Sequence, residues 1–98
     1  MKNQNQAFVL LYRPGPAWLA GRGVFEQPLA EHLAYMRSLL AQQTLLFGGP
    51  FLDDSGGVIG IDAASMADAL AVRDADPAVR AGVMLADVRP WKPLAPAW

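Results

Sequence analysis

The sequence predicts an α+β protein, a ferredoxin-like βαββαβ sandwich with an antiparallel sheet, because apolar runs and helical repeats alternate in that order along the chain. The runs are Ala7 to Arg13, Pro28 to Gln43, Thr44 to Leu52, Val58 to Asp62, Ser65 to about Arg73, and Val83 to Val88. A second observation concerns burial. The first, second and last strands are apolar at consecutive positions, which implies cover on both faces, whereas two helices can cover only one face of the sheet. A second copy packed sheet to sheet across a twofold axis is the simplest remaining cover, so a homodimer is expected.

The first strand, AFVLLYR, is rich in branched and aromatic residues and is stopped by Pro14-Gly15-Pro16. From Pro14 to Gln27 there are three glycines and two prolines, but also Trp18, Leu19, Val24 and Phe25, so the segment is expected to fold back over the body of the protein. Pro28 suits the first turn of a helix, and Leu29, Leu33, Met36 and Leu40 then recur at helical spacing. TLLFGGPFL and VIGID read as two strands joined by the turn residues Asp53-Asp54-Ser55-Gly56-Gly57.

Ser65 and Asp68 fit a capping box that opens the second helix. Asp76 before Pro77 is a helix cap followed by proline at the first helical position, with Gly82 where a single turn would end. After the last strand, Arg89 to Pro96 is too proline-rich for a sheet and is expected to form an extended arm, on which Trp91 and Trp98 would pack against a partner subunit. The domain is expected over 7–93, with a flexible tail at 1–6 and an extension at 94–98.

Composition limits the function classes. Ninety-eight residues, 53% of them hydrophobic, make one domain. Eight Lys and Arg against nine Asp and Glu are scattered along the chain, so no basic surface is built for nucleic acid. No run approaches the length of about 18 apolar residues that a membrane span requires. With no cysteine and a polar start, a cytoplasmic protein that uses no thiolate chemistry is expected.

His32 is the only histidine. A neutral imidazole can take or give a proton, and a carboxylate on its other nitrogen fixes the tautomer, which makes His32 and Asp76 the candidate catalytic pair. Each also has a structural reading: His32 borders the apolar stripe, and the cap alone explains Asp76. Among candidate substrate contacts, Tyr12 and Arg13 end the first strand, where Arg13 could hold an anion, and Trp18 and Phe25 could line or lid a pocket for a flat ligand. Pro50, the last candidate substrate contact, closes Gly48-Gly49-Pro50, which lacks the lysine of a phosphate loop and reads as a bend. Asp53 and Asp54 read as turn residues rather than metal ligands, and neither a metal nor a cofactor is implied.

Read together, His32, Gly49-Pro50, the Ser65 helix start, Asp76-Pro77, Ala81-Gly82-Val83 and Pro90-Trp91-Lys92-Pro93 resemble the YCII-related (YciI-like) family over Ala7 to Pro93. The resemblance implies a ferredoxin-like protomer that dimerises into an α+β barrel, with a cleft where His32 approaches Asp76. The best-described activity among such proteins is a dehydrochlorinase-type step on a chlorinated hydroxyquinol, attributed to a His-Asp pair. The Pro14 to Gln27 segment is idiosyncratic. Gly56-Gly57-Val58 also replaces the Gly-Ser-Thr-like strand start of several relatives.

The expected function is therefore cofactor-independent proton transfer, elimination or isomerisation, on a small, partly aromatic or enolisable metabolite bound in the cleft. The alternatives are a non-catalytic metabolite-binding or regulatory dimer, and a cofactor-independent monooxygenase on the same barrel.

Overall fold

A computed structural model of the chain describes residues 5–94. The order is β1 (Gln6–Pro14), a short 3-10 turn (Val24–Glu26), α1 (Ala30–Ala41), β2 (Leu45–Pro50), β3 (Gly57–Ala63), α2 (Met66–Asp74), α3 (Pro77–Arg80) and β4 (Met84–Trp91). The strands form one antiparallel sheet ordered β2-β3-β1-β4. This is the ferredoxin-like α+β arrangement that the order of sequence elements predicts. No helix among the described residues is long and apolar enough to cross a membrane.

Pairing register assigns each strand residue to a face, because directly opposed residues in an antiparallel pair point the same way. Phe8, Leu10 and Tyr12 of β1 oppose Ile61, Ile59 and Gly57 of β3 and Pro90, Val88 and Ala86 of β4. These positions form the helix-covered face. Phe8, Leu10 and Ile61 are fully enclosed there, together with Ala69 of α2 and Ala78 of α3. The alternate positions Val9, Leu11, Phe47, Val58, Leu85 and Trp91 share the opposite face, which no helix among the described residues covers.

Local chemistry sets the boundaries. Ser65 Oγ accepts from the Asp68 amide and caps α2, as the capping-box spacing predicts. Asp76 caps α3 through the Ala78 amide, with Pro77 at the first helical position. Gly56, at φ +140°, turns the hairpin into β3 so close to the Tyr12 carbonyl that a side chain there would collide with it. Gly15 and Ala17 amides bond back to Val83 and Gly82 carbonyls, joining the end of β1 to the entry of β4.

Three expectations are corrected. Pro28 lies outside α1: Leu29 is the N-cap at ψ 15°, and its amide bonds the Gln27 carbonyl, so the chain turns before the helix starts. The buried side of α1 is carried by Met36 and Leu39, while Leu33 and Leu40 are 51% and 60% exposed. His32 bonding to Asp76 and the Tyr35 hydroxyl bonding to the Val72 carbonyl rotate the helix away from the leucine stripe. Finally, β4 continues through Arg89, Pro90 and Trp91. Because β4 is an edge strand, Pro90 can pair with Phe8 on one side while its missing N–H falls on the unpaired side. The rest of the expected arm from Ala95 onward, Trp98 included, and most of the expected N-terminal tail lie outside the described residues.

Candidate active site

Asp76 is completely enclosed, and every hydrogen bond it makes has a different structural origin. Its Oδ1 accepts from the Ala78 amide at 2.9 Å, the helix-cap bond. Its Oδ2 accepts from the Tyr12 hydroxyl at 2.8 Å, reaching across from the centre of the sheet. His32 Nδ1 lies 2.9 Å from Oδ1 and 2.8 Å from Oδ2. A buried charge is tolerated where donors surround it, and these donors do so. The cap and the histidine contact coexist on one carboxylate.

The same bonds fix the imidazole. A carboxylate that accepts from an amide and a phenol leaves Nδ1 to carry the hydrogen and donate it, so that in the neutral ring the lone pair falls on Nε2. The Tyr12 ring meets the His32 ring edge-on, centroids 5.6 Å apart, and limits its rotation. With its side chain 13% exposed, His32 lines a cavity of about 560 Å³, and Nε2 is the ring nitrogen left for whatever enters. Burial, and then the adjacent Asp76 carboxylate, push the Tyr12 phenol far above its ordinary range, so it acts only as a donor.

The cavity lies between α1 and the β2–β3 half of the sheet. Leu33, Met36 and Leu45 contribute apolar walls, and Gln27 and Met84 close the sides. Much of the floor is backbone, at Gly48, Gly56 and Gly57. A side chain at Gly48 would come within 2.8 Å of Ile59 Cγ2, so glycine there keeps the space open.

Of the sequence candidates, His32, Tyr12, Phe25 and Pro50 all line this cavity, with Asp76 directly behind His32 and Tyr12. Phe25 projects at its mouth, 92% exposed. Arg13 and Trp18 are elsewhere. Arg13 pairs with Asp87 at 3.1 Å on the outer face of the sheet, and Trp18 packs against the main core. Asp53 accepts from the hydroxyl and then the amide of Ser55, which hold its carboxyl below the usual range. Asp54 accepts from the Val24 amide and ties the long segment to the hairpin.

Sequence reasoning missed Gln27, Leu33, Met36, Gly48, Gly57 and Met84. Gln27 is buried, and its amide side chain bonds the Leu19 backbone in both directions and also reaches the Arg22 and Gly23 carbonyls. One side chain thereby folds the Pro14 to Gln27 segment against the cavity wall. Its sequence signal was slight: an uncharged polar residue at the end of a glycine-rich stretch that also holds Arg22 and Glu26.

A ferredoxin-like sandwich whose sole histidine meets a buried aspartate at the wall of a mostly apolar cavity defines a small α+β protein with a histidine–carboxylate pair beside a cavity. The chain matches the YCII-related domain over residues 7–92 and belongs to that family. It is 33% identical over 67 residues to the uncharacterized protein YjpA of Bacillus subtilis (strain 168), covering 68% of this chain and 79% of that one. Among solved structures it is similar to 5-chloro-2-hydroxyhydroquinone dehydrochlorinase from Burkholderia phenoliruptrix AC1100 in complex with 2,5-dihydroxybenzoquinone. The two share 27% identity and a TM-score of 0.68, over 88% of this chain and 93% of that one.

Proposed function

We propose that this protein is a small enzyme that moves a proton on a flat, partly aromatic or enolisable metabolite, using only its own side chains. The observation that supports this reading is His32 Nδ1 at 2.8 Å from the buried Asp76 carboxylate, on a residue that lines a cavity. Nε2 would take a proton from a carbon or hydroxyl of the bound molecule, leaving the electron pair as an enolate or enol. Asp76 would stabilise the resulting imidazolium. In an elimination the pair then expels a leaving group with its bonding electrons; in an isomerisation the proton returns to another carbon.

The cavity is within the usual size range for small-molecule sites, roughly 300–1,000 Å³. The similar dehydrochlorinase binds a quinone of comparable flatness and gives the elimination reading its first substrate to try. With 5-chloro-2-hydroxyhydroquinone as probe, His32→Ala and Asp76→Asn should each lower turnover by about a hundredfold or more while the protein stays folded. A His32→Ala protein as active as its parent would exclude the mechanism.

A second reading, a binding dimer without turnover, draws on the cap, which accounts for Asp76 without chemistry. Binding of 2,5-dihydroxybenzoquinone with no turnover of any enolisable probe would favour it. Under either reading we propose a homodimer, joined through the sheet face that no helix covers and closing into an α+β barrel.

A further inference from the structure

Tyr12 lines the cavity, yet its hydroxyl is not free for a ligand: it is given to Asp76 Oδ2 at 2.8 Å. The Ala78 amide holds the other oxygen from the opposite side. Between these two donors the carboxylate is clamped with both oxygens within 2.9 Å of His32 Nδ1. Among the described residues, the neighbouring groups offer no substitute. Tyr35 of α1 is used by the Val72 carbonyl, Met84 of β4 carries no donor, and Glu31 points to solvent.

We infer that Tyr12 is a positioning residue for the histidine–aspartate pair, a donor that fixes the carboxylate and takes up part of its charge, rather than a substrate contact. The assignment rests on the reading of His32 as the base. Two donors on one carboxylate oxygen weaken each other, because each bond draws on the same negative charge. Removing the phenol should therefore strengthen the bond from Nδ1–H and pull the carboxylate toward the ring. A tyrosine that merely fills the core would leave the imidazole unchanged when replaced by phenylalanine, which retains the ring and its edge-on contact with His32.

Because His32 is the only histidine, its two ring nitrogens can be read directly by long-range nitrogen–proton NMR on uniformly labelled protein, without substrate. Under conditions where the ring is neutral, the parent should show a protonated Nδ1 and a bare Nε2. In Tyr12→Phe the Nδ1 resonance should move downfield. In an Asp76→Asn background, where the carboxylate charge is absent, the same Tyr12→Phe change should leave it in place. Chemical denaturation of each variant establishes that it is folded; asparagine is itself a good helix cap.

A folded Tyr12→Phe protein with an unmoved Nδ1 resonance overturns the assignment. So does an equal displacement in both backgrounds, since the effect would then run through the ring contact and not through the carboxylate. A parent protein carrying its proton on Nε2 would instead overturn the base role of His32, so the two failures are separable.

Discussion

The hydroxyls of both tyrosines are committed inside the protein, Tyr12 to Asp76 and Tyr35 to the Val72 carbonyl. Burial and the Asp76 charge raise the pKa of both phenols, that of Tyr12 well out of its ordinary range. In the unfolded chain a phenol ionises near pH ~10. A group whose folded value lies above its unfolded value contributes its full stability below the unfolded value and loses it as pH rises, because only the unfolded chain then releases the proton. The urea midpoint should accordingly hold steady up to about pH 10 and fall above it, with the Tyr12 share of the phenolate absorbance appearing only as the protein unfolds. Tyr12→Phe should flatten that alkaline limb and leave a smaller slope from Tyr35. A phenolate signal amounting to both tyrosines from folded parent protein in that range would contradict the burial argument.

At the scale of elements, the segment between β1 and α1 depends on Gln27. Its side chain bonds Leu19, Arg22 and Gly23, and Asp54 holds Val24 from the hairpin. Gln27→Ala should cost about 1–3 kcal/mol, as expected when several bonds to one buried amide are lost and their backbone partners stay behind. The Leu19 amide should lose its hydrogen-exchange protection while amides in β1 and β3 keep theirs. Uniform loss of protection across the sheet would show that Gln27 supports the core and not the loop. The sequence patterns that survived in the structure are those with a local cause: the Ser65 and Asp76 caps, the hairpin turn and the order of strands. Long-range bonds decided the others. A leucine stripe could not announce that His32 would turn α1 toward Asp76, and Pro90 looked incompatible with a sheet until β4 proved to be at its edge. The pairing of His32 with Asp76 was legible as a candidate, but the glycine floor was not, since cavities are made by what side chains leave out.

At the scale of the whole molecule, the helices cover one face of the sheet and leave an apolar one. On that face Phe47 lies over Gly60 and meets Trp91 edge-on, ring centroids 5.5 Å apart, while Val9, Leu11, Val58 and Leu85 continue the surface. Leu11, Phe47, Leu85 and Trp91 each remain more than a third exposed in the single chain. A contiguous surface of this kind is rare on a monomer unless it serves an interface. The proposed twofold dimer would bury it, and every residue of the patch would count twice because an isologous contact uses the same surface on both subunits. Leu11→Lys places two desolvated ammonium groups in such an interface, yet in the single chain it puts a lysine opposite Asp87, where the sheet tolerates it. Light scattering should give a dimer for the parent and a monomer for the variant, with the same far-ultraviolet circular dichroism. A parent that stays monomeric at high concentration would remove the sheet face as the interface. The His32 site lies on the helix-covered side, so a monomeric variant that still binds 2,5-dihydroxybenzoquinone would show that each protomer carries a complete site.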